Sequence, residues 1–148
     1  MRPGGNKEAP DAARRYPQLP RQEPLAPKFL YAVDARLTRS SPVADITRLT
    51  SLTAAAVEAG NGHVLDTSHV IFPNGAITLV LILAESHLSI HTWPEEDLIA
   101  IDLFSCGGID GDAVISGLTR SLRLEAVSVR KMARGVPAGR GRATGQGI

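Results

Sequence analysis

Reactive side chains are concentrated in one short stretch near the middle of this 148-residue chain. Residues 85–95 read ESHLSIHTWPE, and the single cysteine, Cys106, follows shortly after them. The apolar run at 76–84 and the alternating segment at 98–104 are both typical of β-strands. Polar groups at the edge of a core need partners, and clustered titratable groups are where function usually lies. We therefore predict that the stretch is an active-site loop between two core strands.

Metal binding is the first of three chemistries that these residue types suggest. His87 and His91 are four positions apart, a spacing that places two ligands on one face of a helix. However, Thr92, Trp93 and Pro94 disfavour a helix here, and no third ligand is obvious. We therefore expect no metal site.

Nucleophilic catalysis by a cysteine and a histidine is the second chemistry. A single cysteine in an intracellular enzyme is a candidate nucleophile, although a lone cysteine is more often a small buried hydrophobic residue. Cys106 is predicted at a strand end, directly before Gly107 and Gly108, where the backbone can approach a ligand closely. That position favours a functional thiol.

The third chemistry begins at the peptide bond between Glu85 and Ser86. The Ser86 hydroxyl can attack the Glu85 carbonyl to give an ester. Loss of the serine α-proton then releases the Glu85 carboxylate, and hydrolysis of the resulting dehydroalanine leaves a pyruvoyl group. Such a ketone forms a Schiff base with a substrate amine and accepts the electrons that departing CO2 leaves behind. The reaction also needs a base and an acid, for which His91 and Cys106 are suitable residue types; spacing alone does not select this chemistry.

The literal sequence of the stretch closely resembles one protein family. Residues 85–95 (ESHLSIHTWPE) and 102–107 (DLFSCG) resemble the pattern ESHxxxHTWPE…DxFxCG of the prokaryotic S-adenosylmethionine decarboxylase proenzymes. A looser likeness covers residues 28–135, where Arg134 and Gly135 resemble the closing RG of the family. The resemblance implies a self-processing, pyruvoyl-dependent decarboxylase that converts S-adenosylmethionine to its decarboxylated form for spermidine biosynthesis.

The resemblance implies processing and catalytic roles at matching positions. Ser86 would become the pyruvoyl group, with the chain cut between Glu85 and Ser86. His91 would assist the self-processing, and Thr78 falls where the family carries a second processing hydroxyl. Cys106 would be the catalytic proton donor.

The resemblance also bears on the substrate. Phe72 falls where a ring stacks on the substrate adenine and Glu95 where a carboxylate holds the ribose hydroxyls, whereas Trp93 has the commoner interpretation of a core residue. The family usually has an aromatic-glycine pair after this glutamate, but this chain has Glu96 and Asp97. Because additional carboxylates also suit a dibasic amino acid, L-ornithine or L-arginine is the alternative substrate. An inactive binding or regulatory homologue is the least favoured interpretation.

The elements around the motif predict an α+β fold. Strands are predicted at 29–37, 63–72, 76–84, 98–104 and 126–129. One helix is predicted to begin with Ser41 as its N-cap and Pro42 at its first position, and a second to be capped by Asp110 or Asp112. This order suits a two-layer α/β sandwich, an antiparallel sheet with helices on one face. The resemblance implies the same sandwich, in a homodimer with active sites near the interface.

Composition confines the decarboxylase domain to residues 28–135. Residues 1–27 hold six of the ten prolines and are predicted to be a disordered tail, and 136–148 a flexible basic tail. Residues 29–129 carry five arginines and twelve acids, a charge of −7 that attracts a small cationic substrate and repels nucleic acid. The longest apolar run, nine residues, is shorter than the ~20 that cross a bilayer, and no secretory signal is evident. With one unpaired cysteine, we expect a cytoplasmic protein with no membrane partner.

Overall fold

The computed structural model describes residues 26–136. In chain order these residues form β1 (Lys28–Arg36), α1 (Ile46–Ala59), β2 (Val64–Ile71), β3 (Ile77–Leu83), β4 (Ser86–Trp93), β5 (Leu98–Cys106), α2 (Gly111–Ser121) and β6 (Glu125–Arg134). Two short 3₁₀ turns, Pro42–Ala44 and Pro94–Glu96, precede α1 and β5. The tails predicted to be disordered or flexible lie almost entirely outside the described residues.

The six strands form one antiparallel sheet in the order β2-β3-β4-β5-β1-β6. Both helices cover the same face of the sheet. The apolar residues of the two helices and one set of alternate strand residues pack together in a single core. Fully buried members of that core include Leu49 and Val57 of α1, Leu118 of α2, and Leu79, Leu88, Ile101 and Leu103 of the sheet. The predicted sandwich with helices on one face is confirmed.

The opposite side of the sheet, which we call the open face, carries the other set of alternate residues. In the three central strands these residues are Thr78, Val80 and Ile82 of β3, His87, Ser89, His91 and Trp93 of β4, and Ala100, Asp102, Phe104 and Cys106 of β5. Part of this face is apolar and accessible: Ile82 is 48% exposed, and Met132 of β6 is 50% exposed. The open face therefore holds most of the predicted reactive residues without a layer of helices above them.

The prediction of a loop at residues 85–95 is wrong, because most of these residues form the central strand β4. Leu88, Ile90 and Thr92 are buried beneath the helices, while Ser89 and His91 between them lie on the open face. As a strand, the segment satisfies its backbone hydrogen bonds by pairing with its neighbours. The alternation of side chains places the polar ones outside the core. The sheet consequently has one more strand than the sequence predicted.

The predicted N-cap of the first helix is also wrong. The Ser41 hydroxyl accepts a hydrogen bond from the Thr38 backbone N–H at 3.0 Å and caps nothing in the 3₁₀ turn that follows. The helix α1 starts four residues later than Pro42, after Asp45. The Asp45 carboxylate accepts hydrogen bonds from the backbone N–H groups of Thr47 and Arg48, at 3.0 and 3.1 Å.

The remaining boundaries agree more closely with the predictions. Asp110 caps α2, accepting a hydrogen bond from the Ala113 backbone N–H at 3.0 Å. The last strand is longer than the predicted 126–129, because β6 stays paired with β1 as far as Arg134. Among residues 26–136, no helix is both long and apolar enough to cross a membrane.

Candidate active site

The peptide bond between Glu85 and Ser86 lies in the tight turn that joins β3 to β4. Leu83 and Ser86 pair directly across this turn, so that only Ala84 and Glu85 connect the strands. The φ angle of Ser86 is +149°, a region that residues with side chains rarely adopt. Such backbone conformations cost of order 1–3 kcal/mol and persist only where the surrounding structure holds them. The residue that directly follows the bond predicted to rearrange therefore has a strained backbone conformation.

The Glu85 side chain is buried, and both of its carboxylate oxygens contact His63. Oε2 accepts a hydrogen bond from the His63 backbone N–H at 3.1 Å, and Oε1 lies 2.5 Å from His63 Nδ1. In return, the His63 carbonyl accepts a hydrogen bond from the Ala84 backbone N–H at 2.9 Å. Ala84 and Glu85, the two residues before Ser86, are thus both hydrogen-bonded to His63, a residue outside the sequence motif.

Thr78 and His91, the two residues predicted to assist processing, lie directly opposite each other on β3 and β4. Thr78 Oγ1 is 2.6 Å from His91 Nδ1, a hydrogen-bond distance. The His91 ring also contacts two aromatic rings edge-on, with centroid distances of 4.3 Å to Trp93 and 5.8 Å to Phe72. The hydroxyl and the two rings together fix the orientation of the imidazole.

An open groove of about 450 Å³ lies beside this histidine. It is lined by Phe72, Pro73, Asn74, Ala76, His91, Trp93 and Glu95. The Asn74 side-chain amide donates a long hydrogen bond, 3.5 Å, to Glu95 Oε2. Aromatic walls next to a carboxylate suit a ligand that joins a flat ring to hydroxyl groups. Trp93, interpreted from the sequence as a core residue, belongs instead to this groove with Phe72 and Glu95, and only its position in the strand reveals that.

Cys106 ends β5 at the same end of the sheet as Ser86. His87 and Phe104 pair across β4 and β5, and Ser86 and Cys106 lie one and two positions beyond that pair. The rings of His87 and Phe104 stack with 5.7 Å between centroids, and the Arg134 guanidinium lies 5.4 Å from the Phe104 ring centroid. The thiol is free and only partly buried. The serine and the predicted proton donor are therefore close neighbours in the sheet.

Ser86 and His91 do not meet within one chain. They are five positions apart on the same strand, which separates them by roughly 16 Å at about 3.3 Å per residue. We call the two groups the turn end (Glu85, Ser86 and Cys106) and the groove end (Phe72, Thr78, His91, Trp93 and Glu95). The structure assembles each group but holds the two apart.

The histidine pair considered for metal binding is also separated. His87 and His91 both lie on the open face of β4, roughly 13 Å apart by the same rise per residue. One zinc ion with ligand bonds of about 2 Å cannot reach both. Within residues 26–136, no group of three or more His, Cys, Asp or Glu side chains is placed to hold a metal ion.

The comparison with known families is decisive: a model described as S-adenosylmethionine decarboxylase matches residues 30–135. This chain belongs to the S-adenosylmethionine decarboxylase family. An S-adenosylmethionine decarboxylase proenzyme from Picrophilus torridus is 37% identical over 108 residues, covering 72% of this chain and 78% of that protein. The namesake from Thermoplasma acidophilum is 38% identical over 107 residues, covering 71% and 77%. The crystal structure of the adenosylmethionine decarboxylase from Aquifex aeolicus matches with a TM-score of 0.64 and 25% identity, covering 78% of this chain and 96% of that one.

Membership of the S-adenosylmethionine decarboxylase family confirms the interpretation of the motif. It confirms the predicted family, the sandwich fold and a carboxy-lyase of polyamine biosynthesis. It also confirms the predicted prosthetic group, a pyruvoyl group that self-cleavage of the proenzyme forms from an internal serine. The turn at Glu85 and Ser86 fits that group, because it places a serine hydroxyl next to a peptide bond at a residue with a strained φ.

Proposed function

We propose that Ser86 is the serine that self-cleavage converts into the pyruvoyl group of this S-adenosylmethionine decarboxylase. The observation that carries this assignment is the strained φ of +149° at Ser86, at a bond whose preceding residue is held by His63. Ser86 Oγ also lies 3.1 Å from His87 Nδ1, within reach of a group that can accept its proton.

The self-cleavage balances without any other reactant than water. Ser86 Oγ bonds to the Glu85 carbonyl carbon, the C–N bond breaks, and the hydroxyl proton ends on the freed nitrogen. A base then removes the Ser86 α-proton, the bond from Cβ to the ester oxygen breaks, and Glu85 leaves as a carboxylate. The dehydroalanine that remains gains a proton at Cβ to become an imine, and water then displaces the imine nitrogen as ammonia to leave the ketone. The products are one fragment of 85 residues and another of 63 that begins with the pyruvoyl group.

The turn end supplies the remaining catalytic chemistry. A pyruvoyl group formed at Ser86 would supply the carbonyl that binds the substrate amine and the electron sink for decarboxylation. We assign Cys106 as the acid that delivers a proton to the substrate carbon, because its partly buried thiol lies beside Ser86 at the end of β5.

The groove end supports S-adenosylmethionine as the substrate. Phe72 and Trp93 offer flat surfaces to adenine, and Glu95 offers carboxylate oxygens to the ribose hydroxyls. The two additional acids that suggested ornithine or arginine, Glu96 and Asp97, line a different groove, in which Asp34 and Arg36 also lie. The carboxylate beside the aromatic rings is therefore Glu95 rather than Glu96 or Asp97.

Replacing the groove carboxylate tests this assignment. Glu95→Gln keeps the size of the side chain but removes its charge, and hydrogen bonds to charged groups contribute ~1.5–3 kcal/mol, which is roughly a 10- to 150-fold loss of kcat/KM for S-adenosylmethionine. Steady-state release of CO2 by the processed enzyme measures the loss.

Two neighbouring carboxylates provide matched controls. Glu96→Gln and Asp97→Asn should change turnover of S-adenosylmethionine little, and asparagine tolerates the left-handed backbone at Asp97, where φ is +48°. All variants are also assayed with L-ornithine and L-arginine. Normal S-adenosylmethionine turnover by Glu95→Gln, together with loss of ornithine or arginine turnover in Asp97→Asn, would favour the dibasic substrate.

We further propose a homodimer in which the open faces of two chains pack together. The turn end and the groove end lie roughly 16 Å apart on one strand, but a two-fold axis across the open face can bring the turn end of one chain to the groove end of its partner. Exposed apolar side chains on this face, Val70, Phe72, Ile82 and Met132, favour such a contact. Two composite active sites would result.

A mixture of two inactive chains tests the shared site. Ser86→Ala and His91→Ala chains should each stay uncut alone. When they are co-expressed with distinct tags, the His91→Ala chain should be cut, because it keeps Ser86 and its partner supplies His91. Mass spectrometry identifies the cut chain.

The control for this mixture removes every His91. Co-expression of His91→Ala with a chain carrying both substitutions should give no cleavage. A wild-type enzyme that sediments as an active monomer, or a mixed dimer in which neither chain is cut, would contradict the composite site.

We propose that the enzyme works in the cytoplasm. Its proposed proton donor, Cys106, must stay a free thiol, which a reducing compartment provides. The net charge of −7 over residues 29–129 attracts a sulfonium cation and repels the phosphate backbone of nucleic acids, so we expect no nucleic-acid partner.

A further inference from the structure

The Glu85 side chain is a buried acid that the cleavage chemistry does not use. The reaction involves its backbone carbonyl, yet the residue is only 8% exposed and keeps its carboxylate inside the turn. Burying a carboxylate is costly unless it is paired and hydrogen-bonded. A smaller residue could connect β3 to β4 without that cost. The buried carboxylate therefore requires a reason other than closing the turn.

The partner of this carboxylate, His63, has a 58% exposed side chain, but its backbone is held next to the core. His63 follows Gly62, where an added Cβ would lie 2.6 Å from a Val57 methyl group and 2.9 Å from the Ile109 side chain. The backbone of His63 is therefore anchored between the end of α1 and the start of β2. From this position it makes three contacts: its N–H and its ring bond to the Glu85 carboxylate, and its carbonyl accepts the Ala84 N–H.

We propose that His63 is a positioning residue for self-cleavage, which holds the Glu85 carbonyl against the Ser86 hydroxyl. This inference rests on the proposed cleavage at Ser86. The β4 ladder fixes the chain after the scissile bond, and His63 fixes the two residues before it. Without the contacts before the bond, the turn can relax the strained φ of Ser86 by moving the carbonyl carbon away from Oγ.

The size of the effect follows from the geometry that the attack requires. Reacting atoms must approach to about 3–3.5 Å in the right orientation, and a displacement of about 1 Å can cost of order 100-fold in rate. His63→Ala removes the ring but keeps the backbone contacts. We therefore expect self-cleavage to slow by roughly 10- to 100-fold.

Two conservative substitutions separate positioning from packing. The side-chain nitrogen of asparagine is the same number of bonds from the backbone as His63 Nδ1, whereas that of glutamine is one bond further. His63→Asn should therefore cleave close to the wild-type rate, and His63→Gln should be as slow as His63→Ala. Chains are made by cell-free synthesis and sampled over time on denaturing gels, so that cleavage is followed from the uncut chain.

A double-mutant cycle tests whether His63 acts through Glu85. Glu85→Ala should slow cleavage, and adding His63→Ala to it should slow cleavage no further. His69→Ala, which removes an exposed histidine from β2, should leave the cleavage rate unchanged. Thermal unfolding of uncut chains carrying Ser86→Ala, with and without His63→Ala, reports any general loss of stability.

The outcomes distinguish this inference from the function on which it rests. A wild-type chain that never yields the fragments of 85 and 63 residues overturns cleavage at Ser86 itself. If the wild type is cut, the role of His63 alone is overturned by any of three results: His63→Ala at the wild-type rate, equal rates for His63→Asn and His63→Gln, or independent slowing by His63→Ala and Glu85→Ala in the cycle. If His63→Ala fails to fold, the comparison of cleavage rates between His63→Asn and His63→Gln still tests the role of His63.

Discussion

The Ser86→Ala chain should remain a single polypeptide of 148 residues with no decarboxylase activity. Without the hydroxyl, the Glu85 carbonyl has no neighbouring nucleophile, so that neither the ester nor the pyruvoyl group can form. The wild type should instead give two fragments, of 85 and 63 residues. Intact-mass spectrometry should find that their masses sum to that of the uncut chain plus one water minus one ammonia. Denaturing gels and assays of CO2 release complete the measurement.

A second serine on the same strand is the matched control. Ser89 lies three positions further along β4, on the open face and away from the turn. Ser89→Ala should be cut like the wild type, because the hydroxyl it removes is not next to the scissile bond. An uncut wild-type chain that decarboxylates S-adenosylmethionine would refute the mechanism. An uncut and inactive wild type would instead point to a binding or regulatory homologue.

The sequence predicted the chemistry better than the local structure around it. The motif at 85–95 and Cys106 identified the family, because the literal residues resemble a long and specific family pattern, whereas their types and spacing alone left three chemistries open. The same polar residues led to the prediction of a loop. Leu88, Ile90 and Thr92 alternate with them at the period of a strand, and this period decides the structure because the polar members face outward at no cost to the core.

Long-range contacts were outside what the sequence could predict. His63 and Glu85 are 22 positions apart, and they meet only because β2, β3 and β4 pair in one register around two turns. The separation of Ser86 from His91 has the same origin. Five positions span only about 7.5 Å along a helix axis, but they span roughly 16 Å along an extended strand.

Three consecutive carboxylates, at positions 95–97, line two different grooves although they are similar in sequence. Glu95, Glu96 and Asp97 have the same charge and adjacent positions, so their residue types alone do not predict which of them lies beside the aromatic rings. The chain changes direction here, through a 3₁₀ turn and a left-handed φ of +48° at Asp97. Glu95 lines the groove with Phe72 and Trp93, and the other two line a separate groove. The resemblance to the family gave the same role to Glu95.

Cys106→Ala should still be cut at Ser86 but should lose most of its decarboxylase activity. Cleavage uses the Ser86 hydroxyl, assisted by Thr78 and His91, so we expect that it does not need the thiol. Decarboxylation leaves a carbanion that must receive a proton, and a positioned general acid contributes typically ~10²–10⁴-fold to such a step. We expect a loss of that order in turnover per pyruvoyl group. Titrating the pyruvoyl end group and measuring CO2 release on the same sample separates the two steps.

The conservative variant Cys106→Ser distinguishes proton donation from packing. Serine is almost the same size as cysteine, so it would restore a thiol that merely filled space at the end of β5, next to Lys28 in the register with β1. A hydroxyl is a far weaker acid than a thiol, so Cys106→Ser should be nearly as slow as Cys106→Ala if the proton comes from this side chain. Turnover close to that of the wild type in either variant would show that Cys106 is a structural thiol. In that case the substrate proton would have to come from another group at the turn end, and His87, stacked on Phe104 and 3.1 Å from Ser86 Oγ, would be the first to replace.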